Sequence, residues 1–402
     1  MGKSRRLVWI AVAGVACAVA VILLLLTRRH PAVAAPLSPA VQRAQAAAGA
    51  LRSAYYDPAN GLLANDPPPQ GERYGTTANG SLFGMASFTP TAMWGYSWAL
   101  AGLEDVAQLP GGSRYLPLVR TLADHLGAYW DAGAPVPGYA PTPNPGPRAN
   151  KYFDDNAWAG LDLVAAYHLT GDRGYLTQAE AVFTYEESGW DQAGGGGLWW
   201  DDAHQTRNTA ANAPVAELAA YLYLDTHQAT YLTWAQKIYA WELGHLVNPI
   251  TGEVWDSFNG ASVGRQLWTY NQGDVIGAAT LLYEITHDPA YLAQAKKTAS
   301  FALTLVQTGN VLVPQAQFNG VLVDNLQLLY QVTRDPRIAA VITASAQSAW
   351  AKARNSDGLV APNWLGPPVP DADIQILTQS GAVRLLAVAA ALAAGGFGAF
   401  QL

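Results

Sequence analysis

The chain has 402 residues, 50% of them hydrophobic, with 14 Trp, 19 Tyr and a formal charge of −7. An acidic surface does not draw nucleic acid or an anionic polymer by long-range charge, so neither is an expected partner. The single cysteine, Cys17, sits in an apolar run near the N-terminus. That excludes a disulfide framework and a cysteine nucleophile.

The chain opens Met1-Gly2-Lys3-Ser4-Arg5-Arg6 and then carries no charge over residues 7–26, enough to cross a hydrocarbon core of about 30 Å. Lys3, Arg5 and Arg6 hold the N-terminus in the cytoplasm, which sends everything after Thr27 across the membrane. Ala32-Val33-Ala34 resembles a small-residue cleavage site. The apolar run, however, exceeds the roughly 7–15 residues of a signal peptide, and Arg28 and Arg29 intervene. The expectation is a cytoplasmic stub and signal anchor over residues 1–30, a membrane contact through 7–26, and an extracytoplasmic location. Secretion after cleavage near Ala34 is the alternative. Residues 31–39 read as a short linker and 40–402 as one domain.

Within that domain, Thr170-Gly171-Asp172-Arg173-Gly174-Tyr175-Leu176 recurs as Thr226-His227-Gln228-Ala229-Thr230-Tyr231-Leu232 and as Thr286-His287-Asp288-Pro289-Ala290-Tyr291-Leu292. A weaker copy begins at Thr333, and Tyr115-Leu116 is a diverged earlier one. Each copy ends one helical pattern and opens the next, so the repeating unit is an antiparallel helical hairpin. About six such units fit after Ala40. Closed into a ring they give an all-α (α/α)6 toroid; an open solenoid is the alternative. The Gly-, Pro- and Trp-rich segments 60–87, 132–153, 190–212, 248–266 and 355–373 then gather on the rim opposite the short turns, where a cleft is expected. The apolar stretch 382–400 contains Arg384 and three glycines, which favours a last buried helix over a second span.

Three segments carry candidate chemistry. In Tyr152-Phe153-Asp154-Asp155-Asn156-Ala157-Trp158, adjacent carboxylates repel unless one serves as an acid and the other as a base or nucleophile. Helix N-capping accounts for one acid without catalysis. A retaining glycosidase needs its carboxyl groups about 5–5.5 Å apart, which neighbours in a turn can reach. Gly194 to Asp202, followed by Thr206-Arg207-Asn208, describes a loop that approaches a ligand closely and presents tryptophans. It can equally be a surface loop whose tryptophans pack. A nucleotide loop is disfavoured, because no GxGxxG or Gly-Lys-Ser/Thr pattern opens the next helix. Leu267 to Asp274 offers Tyr, Asn and Gln groups suited to hydroxyls, though the same residues cap helices. The seven His show no paired ligand spacing, so no metal or other cofactor is expected. No GxSxG motif is present either.

In this order, from about residue 45 to 390, these segments resemble glycoside hydrolase family 76, the α-1,6-mannanases, whose members share the α/α toroid. The resemblance implies that Asp154 is the nucleophile and Asp155 the general acid/base of a retaining mechanism. It also implies that Trp199, Trp200, Asp201, Asn208, Tyr270, Asn271 and Gln272 line mannose subsites. The implied substrate is α-mannan or a related mannose-containing polysaccharide, cut internally by a monomer without a cofactor. A transglycosidase of envelope mannan and a non-catalytic glycan-binding envelope protein are the alternatives; an epimerase or unsaturated-uronide hydrolase on the same fold is more distant. Two departures stand out. Ala159 replaces an aromatic common in the family, and Phe318-Asn319-Gly320-Val321-Leu322-Val323-Asp324 lacks the expected basic residue.

Overall fold

A computed structural model of the chain describes residues 36–68, 89–133, 135–146, 149–192 and 195–396. The expected span at 7–26, Cys17, the cleavage position near Ala34 and much of the 60–87 loop lie outside the described residues. Every helix named below belongs to one unit, Pro39–Leu402.

Among the described residues there are twelve α-helices: α1 Pro39–Tyr55, α2 Met93–Gln108, α3 Leu116–His125, α4 Phe153–Thr170, α5 Arg173–Ser188, α6 Thr209–Thr226, α7 Ala229–His245, α8 Thr269–Thr286, α9 Pro289–Ala302, α10 Ala316–Thr333, α11 Pro336–Ser348 and α12 Ile376–Ala394. The even-numbered helices form an inner circle. Each packs on the next, and α12 packs back on α2, so the circle is closed rather than an open solenoid. The odd-numbered helices pack outside them. Composition assigns the layers. Inner helix α6 buries thirteen residues in a nearly unbroken run from Thr209 to Leu222, as expected for a helix apolar all round. Among the described residues α12 alone is long and apolar enough to cross a membrane, yet it is mostly buried against α1, α2, α10 and α11.

The sequence repeat is the inner-to-outer connection. Gly171, His227, His287 and Arg334 end inner helices in the left-handed conformation, with φ of 71°, 56°, 58° and 53°, which releases the chain from the helix. The preceding Thr170, Thr226, Thr286 and Thr333 hydroxyls each donate to the carbonyl four residues back. Asp172, Asp288 and Asp335 then accept the backbone N–H two residues on and cap the outer helix. Both bonds are thus encoded in a short Thr-x-Asp motif.

At the opposite rim the outer-to-inner connections are long. Among the described residues they carry three two-stranded antiparallel ribbons and one three-stranded sheet of 207–208, 257–258 and 263–264. A carboxamide fastens several of them. The fourth residue of five inner helices is Asn156, Asn212, Gln272, Asn319 or Gln379. Asn156 exchanges both bonds with the Tyr139 backbone, Asn212 with that of Leu198 and Gln272 with that of Val254. Every inner helix therefore begins at this rim, with its positive dipole end toward the loops.

Candidate active site

The first turns of the inner helices and the rim loops enclose a cleft of about 600 Å³. Trp94, Asp154, Ala210 and Tyr270, each the second residue of its helix, line it. Trp98, Trp158, Trp268 and Phe318 complete an aromatic wall, while Trp200, Asn208, Asp256 and Gln266 come from the loops. Trp94 and Phe318 are parallel, with centroids 6.0 Å apart, and Tyr270 leans on Phe318 at 4.7 Å.

Asp154 and Asp155 both reach the cleft, but their surroundings differ. Asp154 Oδ1 accepts the Asp155 backbone N–H at 2.9 Å, and Oδ2 accepts the Trp200 indole N–H at 2.8 Å. Burial raises the Asp154 carboxyl, these donors pull it back, and it rests at about 6. Among the described residues no hydrogen-bond donor opposes the burial of Asp155. Burial, and then the Asp154 charge, push it well above the ordinary range. One carboxyl is therefore readily ionised where its neighbour stays protonated.

The pair stands on a rigid base. Phe153 stacks on Tyr185 at 4.6 Å, and the Tyr185 hydroxyl donates to Asp202 at 2.9 Å. Buried Lys151 lies 3.6 Å from Asp131 and 3.9 Å from Asp202. Behind them Glu186 is fully buried, its carboxyl pushed well above the ordinary range by burial and by the Asp154 charge.

The sequence-derived site residues separate into two groups. Asp154, Asp155, Trp200, Asn208 and Tyr270 come together in the cleft. Trp199 lies outside its lining, stacked against His204 at 5.2 Å and under the Arg207 guanidinium at 3.6 Å. Asp201 is buried, accepts from Asn150 and pairs its backbone with Tyr152. Gln272 is fully buried and spends its amide on Val254 and Trp268. Asn271 is buried as well and lies outside the cleft lining, while the cleft carboxylate Asp256 is supported by Ser257 and Trp268.

Trp94, Trp98, Asp256, Trp268 and Phe318 belong to the site without having been singled out for it. A signal for three of them was present, since the opening turn of five inner helices faces the cleft: Trp94 and Phe318 occupy that turn, and Trp98 lies one turn deeper. Of the two departures from the family pattern, Ala159 is buried without contact to the cleft, and Phe318 contributes an aromatic face to it.

A family model described as glycosyl hydrolase family 76 matches residues 70–394. Mannan endo-1,6-alpha-mannosidase DCW1 of Eremothecium gossypii is 29% identical over 247 residues, 53% of this chain and 55% of that protein. The chain spans about half the length of the curated relatives it matches, or less. A family 76 mannosidase structure from Bacteroides thetaiotaomicron superposes with a TM-score of 0.79 at 22% identity, covering 89% of this chain and 100% of that one. An α-1,6-mannanase of Salegentibacter sp. HEL1_6, described as an inactive variant with two adjacent aspartates replaced by asparagine and in complex with α-1,6-mannotriose, gives 0.73 at 26% identity over 87% of this chain and 99% of that one. With a model match over most of its length, the chain belongs to glycosyl hydrolase family 76.

Proposed function

We propose that this chain is an endo-acting hydrolase of α-1,6-linked mannan, using Asp154 as nucleophile and Asp155 as general acid/base. The observation that carries the assignment is the unequal support of the two carboxyls. The one with two N–H donors is suited to act as an anion, and the one with none to keep its proton.

In the first step an Asp154 oxygen attacks the anomeric carbon while Asp155 gives its proton to the departing glycosidic oxygen, leaving a mannosyl ester on Asp154. Asp155, now ionised, takes a proton from water as that water attacks the same carbon. The ester breaks, Asp154 leaves as carboxylate, and the sugar departs with its configuration retained. Aromatic faces at Trp94, Trp158, Trp268 and Phe318 suit the apolar faces of neutral sugar rings. The name of the Eremothecium gossypii relative and the mannotriose-bound neighbour support α-1,6-mannan as substrate. The charge pattern of the leader supports an extracytoplasmic, membrane-tethered enzyme acting on envelope mannoglycans.

The test is incubation of the full chain, and of Asp154→Ala and Asp155→Ala, with linear α-1,6-mannan, resolving products by size and by anomeric configuration. Short oligomannosides released with retention, and lost in both variants, are the expected result. Inverted products overturn the mechanism, products longer than the input move the assignment to transglycosylation, and binding without turnover in all three proteins leaves a glycan-binding module.

A further inference from the structure

Trp200 is, at 38%, one of the most exposed large hydrophobic side chains among the described residues. An exposed indole at a cleft mouth is ordinarily a platform for a sugar ring. The structure gives this one an additional attachment. Its N–H points to Asp154 Oδ2 at 2.8 Å, while the other oxygen of that carboxylate takes the Asp155 backbone N–H.

The indole is held where it is by its own main chain. The Trp200 carbonyl accepts the N–H of Phe153, the first residue of α4, at 2.9 Å, and the Trp200 N–H donates to Thr206 at 2.8 Å. The Tyr152 ring meets the indole at 5.2 Å with the planes 64° apart. Two residues earlier, Leu198 is clamped through both backbone groups by Asn212. The strap carrying Trp200 is thus stitched to the start of the helix that carries both acids, which sets the indole beside Asp154.

We propose that Trp200 is a positioning residue, fixing the plane of the Asp154 carboxylate and favouring its ionised form, with sugar stacking as a second use of the same ring. The inference rests on the reading of Asp154 as nucleophile. A neutral aromatic of similar size at this position keeps the ring face and removes only the donor, so Trp200→Phe separates the two uses.

The first measurement needs no substrate, which separates failure of this inference from failure of the mannan reading. In the 15N-labelled full chain, the indole resonance that disappears in Trp200→Phe is followed with pH. It is expected to shift with a midpoint near the Asp154 value of about 6 and to lose that titration in Asp154→Asn. A resonance that stays flat from about pH 4 to 8, the window bracketing that value, overturns the proposal.

The second measurement is kinetic. Losing a hydrogen bond to a charged group lowers kcat/KM in Trp200→Phe about 10- to 100-fold. The loss falls on kcat, and the acidic limb of the kcat/KM profile moves up by about one pH unit. A raised KM with kcat and the acidic limb unchanged would mean that Trp200 is a sugar platform alone.

Discussion

Trp98 meets Trp158 edge-on, centroids 5.9 Å apart and planes crossed at 88°, and with Val321 this pair divides the interior of the toroid. On one side lies the cleft with the acid pair. On the other lies a second cavity of about 140 Å³, bordered by Glu104, Asp105, Asp162, Glu217, Asp324 and Arg384. Asp274, close enough to raise Glu217, adds a sixth acid. Among the described residues every inner helix therefore contributes an ionisable side chain to the axis, six acids to a single guanidinium. So many anions cannot all be ionised out of water, and burial raises all six carboxyls.

That arrangement makes stability fall as pH rises. Asp162 is held at about 8, burial outweighing the Ser97 hydroxyl and the Arg384 charge, whereas an unfolded Asp titrates near 3.9. Between those values the folded chain keeps a proton that the unfolded chain has released. The folded state is therefore favoured most below about pH 4 and loses this contribution as pH climbs toward 8. Replacing Asp162 with Asn removes the titration. The expected result is a Tm that declines less steeply from pH 5 to pH 9 than in the parent; parallel curves would show that Asp162 does not carry the effect.

Gln272 is expected to behave as a clamp and not as a sugar ligand. Gln272→Ala strips partners from the buried N–H and carbonyl of Val254, at a cost of about 2–4 kcal/mol in urea unfolding. KM for mannooligosaccharides should stay within about twofold in the fraction that folds, well below the loss of a direct hydrogen bond. A large rise in KM with unchanged stability would return the residue to the cleft.

The contrast between Gln272 and Tyr270 shows where legibility ended. Hairpin repeats were readable because Thr, a left-handed residue and Asp recur at fixed spacing, and the motif with the tandem Asp lay at a loop-to-helix junction. What could not be read from Tyr270-Asn271-Gln272 alone was which residues face the axis. That depends on helix phase: the second residue of four inner helices, Tyr270 among them, faces the cleft, while fourth residues such as Asn156, Asn212 and Gln272 turn back toward their loops. Aligning Asn156, Asn212 and Gln272 as equivalent fourth residues would have sorted them. Asp256 had no such signal, because its place depends on strand pairing between Asn208 and Ser257, about fifty residues apart in sequence.

Among the described residues Asp256 is the third carboxylate of the cleft, raised by burial and steadied by Ser257 and Trp268. Its supporting partners leave it directed at the substrate space without a counter-charge among the described residues, a setting suited to accepting hydroxyl protons from sugar. Asp256→Asn is expected to weaken binding, raising KM about tenfold or more, while leaving Tm within a few degrees. An unchanged KM in mannooligosaccharide kinetics would contradict a contact with substrate.

Arg384 should matter most at alkaline pH. It pairs with Asp324 and lies 6.0 Å from the centre of the Trp98 ring. Its charge also lowers Glu104, Asp105, Asp162, Glu217 and Asp274 against their burial. Arg384→Met keeps much of the packing volume and removes the guanidinium from among these acids. At about pH 8.5 the acids that were ionised against it are left uncompensated, at a cost of about 3–5 kcal/mol. At pH 5 the same carboxyls can take up protons and need no partner, so the cost should shrink. Urea unfolding of parent and variant at both pH values measures the difference directly. An equal cost at both would mean that Arg384 stabilises the toroid through its packing against Trp98, with charge playing no part.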